Sequence, residues 1–566
     1  MILKALYDYY YRCDNLPARG MEEKEIGFLL VLSSDGCFLR FEDCRLGRDH
    51  ARTYLVKKHV GRSSAAVANY LYDNSAYVLG YSDKSNGKEQ IYFDTFKERV
   101  HSIAAIYPGH KDLHALKAFY DNGRKSILSM VSQDPLWEDI KKNLSKKYST
   151  FSFRIEGDLR IIAEKKEILQ LEANDNTQES NLCLVSGKHG ASVEITTATM
   201  IPGSQAIAKL VAFQVNSGYD SYGKTKCGNA PISEEAEFAY TTALNTMLQK
   251  GSRNKFMLGT RTFVFWASNN NEASMETEES LFDLLGFSED ANDDPNAKIM
   301  KVRRVFESIY SGIMKTGLDD KLYILGLAPN SARIAVVYWS ETTLKDFAEK
   351  ILRHFSDMEI HDTRKDKKPY MGIREIISSV TLGGKMSDAT PNLPEAVVKS
   401  IFQGLPYPAT LYSACLRRIR AEQKLTITRA AIIKAYLNRQ SNNNKKIDIM
   451  LDKDNNNQGY LCGRLFAVLD KIQEEANNIS SIRERYMNAA SATPSTVFAT
   501  ILNLSQHHAE KLNEGRKISF EKIKQEIFDK LPADGFPTHL DLQDQGRFFV
   551  GYYHQRQDFF TSKKEQ

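Results

Sequence analysis

The chain has 566 residues, more than one hydrophobic core serves, so two or three domains are expected. Hydrophobic residues make up 42% and charged residues 26%, an ordinary balance for a folded protein that excludes long disorder. The net charge of +5 says little by itself, but it is segregated. Residues 411–450 carry nine Lys or Arg against two acids, whereas residues 268–297 carry nine acids and no Lys or Arg.

In chain order, residues 1–13 read as an amphipathic helix with Ile2, Leu3, Leu6, Tyr7 and Tyr10 on one side. Lys4 and Asp8 interrupt what a signal peptide needs to be apolar, and no run approaches a membrane span. Seven scattered cysteines without a C-x-x-C pair fit neither a disulfide framework nor a zinc site of usual spacing, so a reducing cytoplasm is expected. Apolar runs at 26–32 and 37–41 around Ser33-Ser34-Asp35-Gly36 predict a hairpin, with a further strand at 52–58 and helices over 100–131.

Strands are then expected at 151–155, 159–162, 182–185, 193–195 and 210–215. Ser233 followed by Glu234-Glu235 predicts a capped helix through 236–248. A strand at 263–267 precedes the acidic stretch 268–297, read as an exposed loop, and 321–326 with 333–339 form a strand–turn–strand. From about 390 helical periodicity takes over. The pattern predicts an α+β protein: a β-rich body over 1–230, a central α/β segment over 231–390 and a helical bundle over 391–566.

One stretch matches a catalytic motif. Gly218-Tyr-Asp-Ser-Tyr-Gly223-Lys224-Thr225 satisfies G-x-x-x-x-G-K-[ST], which suggests a P-loop ATPase built on Gly223, Lys224 and Thr225. Gly228, Asn229 and Pro231 then fall where an uninterrupted helix should run. The same residues, with Ser217, Ser221, Tyr222, Lys226 and Asn229, suit a polar loop touching phosphates or base edges, or a solvated surface loop. Asp158 with Glu164-Lys165-Lys166 reads as a charged hairpin before a metal-dependent nuclease. The stretch from Asp452 lacks the Gly and Glu that a calcium loop requires.

Two cationic regions suit nucleic acid. Lys57, Lys58, Arg62 and Ser63 lead into Asn69 and neighbouring aromatics, with Lys and Arg for phosphates and Asn for a base edge. The alternative is a basic loop before a packed aromatic segment. Arg417, Arg418, Arg420, Lys424, Arg429 and Lys434 lie on a helical stretch that suits either a nucleic-acid groove or solvent.

Several stretches together resemble one family in order along nearly the whole chain. They are Met1-Ile-Leu-Lys-Ala-Leu-Tyr-Asp-Tyr-Tyr, residues 69–80, Cys183-Leu-Val-Ser-Gly187, Ser221-Tyr-Gly-Lys224 through Asn229-Ala-Pro-Ile-Ser-Glu-Glu, residues 238–245, residues 325–334 and residues 458–469. The series resembles the large subunit of the type I-C CRISPR Cascade surveillance complex.

The resemblance implies a non-catalytic cytoplasmic subunit with no cofactor and no metal. It implies a chain that reads the protospacer-adjacent motif in double-stranded DNA, helps unwind the target, stabilises the displaced strand of the R-loop and recruits a nuclease-helicase for antiviral defence. Its implied partners are the CRISPR guide RNA, the target duplex and the backbone, guide-end and small subunits of the same complex, with no membrane. On that footing Lys57, Lys58, Arg62, Ser63, Asn69, Ser221, Lys224, Lys226 and Asn229 are candidates for the motif duplex. The cations from Arg417 to Lys434 are candidates for the displaced strand, and Met450 is a candidate internal start for a separate small subunit. An interaction scaffold that never reads DNA is the other non-enzymatic reading.

Overall fold

A computed structural model describes the chain except residues 14, 48–49, 61–65, 84–86, 147, 170–179, 200, 214–219, 250, 259, 285–294, 364–370, 386–387, 441–445, 480 and 562–566. The architecture is mixed α+β. It divides into two compact units that interleave in sequence. The larger comprises Met1–Arg12, Ala198–Ala212 and Leu244–Gln566, and the smaller comprises Cys13–Thr197 and Phe213–Ala243.

The smaller unit contains β1 (Met21–Ile26), β2 (Phe28–Leu32), β3 (Phe38–Asp43), β4 (Arg52–Lys57) and β5 (Phe151–Ile155). All five residues of β2 are buried, as a continuous apolar run demands, and β2 lies between antiparallel β3 and parallel β5. The expected hairpin is β2–β3. Its turn requires Gly36, at φ +83°, because a Cβ there would lie 2.2 Å from the carbonyl oxygen of Ala115. β1 pairs with β4. The 89–106 and 111–121 helices pack Phe93, Phe96, Phe119 and Tyr120 into the core over this sheet.

Two of the expected strands are absent here, and a third is absent over its described residues. Leu159 is 97% exposed, and Ile161 and Ile162 turn inward at the head of a short 3-10 turn rather than alternating along a strand. Residues 193–195 form no ladder, although Val193 N–H donates to Ile232 O. The run expected at 210–215 forms no ladder at 210–213, and 214–215 lie outside the described residues. Residues 182–185 supply only the end of β6 (Ser180–Leu182), which pairs with β7 (His189–Ala191).

The larger unit holds an antiparallel sheet of β8 (Lys255–Leu258), β9 (Arg261–Ala267), β10 (Lys321–Asn330) and β11 (Arg333–Thr343), in the order β11-β10-β9-β8. Alternation along the strands sends Phe263, Phe265, Leu322 and Ile324 into a core shared with Phe306 and Phe347 of neighbouring helices. Trp266, Tyr323 and Trp339 occupy the other face, where Tyr9 of the Ile2–Arg12 helix meets Trp266 edge-on.

The acidic stretch expected as a loop is instead helical over Glu272–Leu284. Asn271 caps it through Ser274 N–H, and Ala273, Thr277, Leu281 and Leu284 form its buried stripe. Its acids lie on the remaining surface, and Glu278 pairs with Arg12 at 3.1 Å. Beyond residue 390 every described element is a helix. The Gln458–Asn477 helix is buried for most of its length and is surrounded by the 481–492, 494–509, 514–528 and 542–558 helices. Gly459, Gly463 and Gly551 bring the 458–477 and 542–558 backbones into direct contact.

Candidate nucleic-acid interface

The strand β4 ends at Lys57, and the candidates Arg62 and Ser63 lie outside the described residues, in the stretch between Val60 and Ala66. Asn69 lies beyond that stretch and is 9% exposed. Its Oδ1 accepts Val60 N–H at 3.0 Å, and its own N–H donates to the buried Asp73 carboxylate at 2.9 Å. The side chain therefore closes the loop, holding residue 60 beside residue 69.

Beside it, the Lys57 ammonium sits 4.8 Å from the Tyr70 ring centroid, and the Arg99 guanidinium lies 6.0 Å from the same ring. Burial pushes the Lys57 pKa down and the Tyr70 phenol up to about 12. Two cations and an aromatic face thus share one place, and Arg99 arrives from a helix thirty residues away. Lys58 points elsewhere. Its ammonium donates to Thr197 Oγ1 at 2.7 Å and lies 3.8 Å from the buried Glu237, so it serves as an internal partner, not an open cation.

The second loop has the wrong geometry for nucleotide binding. Ser221 and Lys224 bridge across a two-residue turn in which Tyr222 (φ 55°) and Gly223 (φ 71°) are both left-handed. A single 3-10 turn, Lys226–Asn229, follows, and the next helix begins only at Glu234. A P-loop presents its lysine at the N-terminus of the helix that follows directly. Lys224 has no such helix, so the ATPase reading falls.

Ser221, Lys224, Thr225 and Asn229 are exposed instead. Asn229 Nδ2 donates to Ser221 O at 3.1 Å, which fixes the turn, while Lys226 is held by Glu194. Cys183 anchors the base of the region, its sulfur accepting N–H groups from Val185, Ser186 and Ser233 at 3.4, 3.4 and 3.2 Å. Burial opposes the thiolate, but hydrogen bonds from Ser186 and Ser233 outweigh it and bring the thiol down to about 7. Both loops are tied to one segment, 192–197: Lys58 bonds Thr197, Lys226 pairs with Glu194, and Val193 bonds Ile232 beside the cap Ser233.

In the larger unit the expected cationic helical face divides. Arg417 is exposed and lines, with Arg420 and an apolar floor of Leu416 and Leu542, a shallow groove of about 560 Å³. Arg418 pairs with Glu422, and Arg420 donates to Gln545. Lys424 borders a second cleft of about 460 Å³ with Arg483, Arg556, Tyr552 and Tyr553.

Arg429 and Lys434 do not face solvent. Arg429 is 5% exposed, donates to Ser379 O and Lys424 O, each at 2.9 Å, and pairs with Glu422. Lys434 is 3% exposed, and burial lowers its pKa against the opposing effect of Asp357, Glu359 and Asp448. They sit on the Ile427–Gln440 helix, which is buried on nearly every side because Ala430, Ala431, Ile432 and Ile433 are consecutive. Met450 is partly exposed beside a cavity of about 320 Å³ lined by His361, His554, Gln557 and Thr561.

A family model for a CRISPR-associated protein, Cas_Csd1, matches residues 6–560. The chain belongs to this family. Cas_Csd1 proteins are the large subunits of type I-C Cascade, and the match spans both compact units. No curated protein matches the sequence. Among the described residues, no helix is long and apolar enough to cross a membrane, and no cluster of His, Cys, Asp and Glu is placed to hold a metal ion.

Proposed function

We propose that this Cas_Csd1 chain reads the protospacer-adjacent motif in double-stranded DNA through its smaller unit and performs no chemistry of its own. The reading rests on one observation above the rest. Two polar loops far apart in sequence, one closed by Asn69 and one turning at Ser221–Lys224, are fastened to the same 192–197 segment. In guided recognition base pairing to the RNA reads the long sequence, and the protein needs only a few base contacts and backbone attraction. Ser221, Lys224 and Asn229 supply hydroxyl, ammonium and amide groups on an exposed turn. Lys57 and Arg99 supply cations beside the Tyr70 ring.

Asn69 acts by holding Val60 beside it rather than by touching a base, and Arg62 and Ser63 are proposed as contacts to the duplex. The subunit helps open the duplex and recruits a nuclease-helicase. The displaced strand runs along the exposed Arg417 and Lys424, with Arg483 and Arg556 beside them. Guide RNA and the other Cascade subunits complete the partners, in the cytoplasm.

Binding of the reconstituted guide complex to duplexes differing only in the flank tests the residue assignments. Lys224→Ala is expected to weaken all flanks by a similar factor, as loss of a phosphate contact does. Ser221→Ala with Asn229→Ala is expected to narrow the difference between flanks. Unchanged affinity in Lys224→Ala together with unchanged flank discrimination in the double variant refutes the placement.

Met450 is the start of a second, shorter product of 566 − 450 + 1 = 117 residues. In support, the 481–492, 494–509, 514–528 and 542–558 helices that pack on Gln458–Asn477 lie C-terminal to Met450, while the Ile427–Gln440 helix covers the outer side of 542–558. An antibody to the C-terminus should detect a second band that Met450→Leu removes; its absence in the wild type refutes the internal start.

A further inference from the structure

Tyr222 is the most exposed aromatic residue among those described in its loop, at 96%, and its backbone is left-handed at φ 55°. Both facts are unfavourable for folding alone. A bulky side chain in that region is strained, and turns of this kind favour Asn or Gly there. The ring recovers nothing by burial. Exposed aromatics that dock on protein usually belong to an apolar patch. The described neighbours of Tyr222 are Asp220, Ser221, Gly223, Lys224, Thr225, Lys226 and Asn229, with Cys227 buried. Along the described residues the ring is flanked by hydroxyls, an amide, the exposed Lys224, and Lys226 held by Glu194, with Asp220 accepting from the Lys226 backbone, a setting in which aromatic side chains stack on nucleobases while cations meet phosphates. The turn is held stiffly by the Ser221–Lys224 bridge and by Asn229 on Ser221, so the ring is presented at small entropic cost.

We infer that Tyr222 is a stacking platform for an unpaired nucleobase, presented by a turn whose backbone strain is kept because the ring is used. The inference rests on the proposed DNA-reading role of this loop and names the ligand of its tip, an unstacked base rather than a paired one.

The test uses the full chain in the reconstituted guide complex, with two targets sharing one flank. One is fully paired, and the other carries two unpaired bases next to the flank. Wild type is expected to prefer the unpaired target, and Tyr222→Ala to lose roughly tenfold on that target. Tyr222→Phe is expected to retain the preference because stacking needs the ring and not the hydroxyl. Tyr222→Gly suits the left-handed backbone, so it should melt no lower than wild type and still lose the preference. Retention of the preference in the Ala or Gly variant overturns the inference. Failure of Tyr222→Ala to assemble with the other subunits also overturns it, marking the ring as a protein contact. Flank discrimination on paired targets is scored separately: its absence in wild type refutes motif reading, whereas its presence with a Tyr222-independent preference refutes the stacking role alone.

Discussion

Gly463→Ala is expected to open the C-terminal bundle at its tightest point. A Cβ at residue 463 would lie 1.9 Å from Phe548 O, 2.7 Å from Phe548 C and 2.9 Å from Tyr552 N, all backbone atoms of the opposing helix. A carbon normally approaches a carbonyl oxygen no closer than about 3.3 Å, so the backbones must part by about 3.3 − 1.9 = 1.4 Å. A gap of that size forfeits about half or more of the dispersion energy of the contacts it separates, among them Phe466 with Phe548 and Tyr552. The roughly 1 kcal/mol by which alanine favours a helix offsets little of this, and a net loss of about 3 kcal/mol is expected.

Hydrogen exchange in the full chain measures it. Protection of the 458–477 and 542–558 peptides should fall about a hundredfold, while the 89–131 peptides of the other unit stay unchanged. Gly515→Ala is the control: its Cβ would meet only Asn513 Oδ1 at 3.7 Å, so protection should hold or rise slightly. Undiminished protection in Gly463→Ala would refute the packing argument.

Acid should destabilise the larger unit through two buried histidines. His354 and His554 are buried, bonded to Tyr407 at 2.8 Å and Tyr460 at 2.9 Å, and burial holds both near a pKa of about 3 against an ordinary 6.5. The unfolded chain takes up protons below 6.5 that the folded chain refuses until about 3, so stability is full above 6.5 and is lost as pH falls through that window. At pH 5 the loss is about 2 kcal/mol per ring, and denaturant titrations at pH 7.5 and 5 should show a smaller pH difference in His354→Gln.

Cys183→Ala leaves the amides of Val185, Ser186 and Ser233 without their acceptor and should cost about 1–3 kcal/mol, read as a lower melting temperature. Arg417→Ala with Lys424→Ala should reduce the salt slope of binding to a target with an open strand by about 1.4, leaving folding intact. Arg429→Ala should instead lower thermal stability, because it strips partners from two carbonyls and from Glu422.

Much of the fold was legible because local periodicity and burial agree. The run at Phe28–Leu32 is apolar at every position and is buried at every position. The 33–36 turn and the Ser233 cap follow from residue chemistry alone. Charge misled where it was counted rather than placed. The Glu272–Leu284 helix carries its acids on one side and a stripe of Ala273, Thr277, Leu281 and Leu284 on the other, so its composition suggested a loop. Arg429 and Lys434 entered a supposed cationic face, although the apolar run between them, Ala430-Ala431-Ile432-Ile433, signals a helix buried all round.

The candidate site was legible only in halves. Residue type nominated the 57–69 and 221–229 stretches, but their common attachment to 192–197 depends on contacts 139 and 32 residues apart in sequence. Arg99 lies in a helix without any local mark of function, and only the fold sets it near Tyr70. The P-loop match failed through backbone geometry, which a pattern of residue types does not encode.

The most direct test of the account is the affinity of the reconstituted guide complex for targets in which the three base pairs beside the guide-matched sequence are fully randomised. The account predicts one strongly preferred flank for wild type and a flattened profile when Ser221, Lys224 and Asn229 are all replaced by alanine. A wild-type profile that is flat across all flanks would contradict it and leave the subunit a scaffold for RNA and protein.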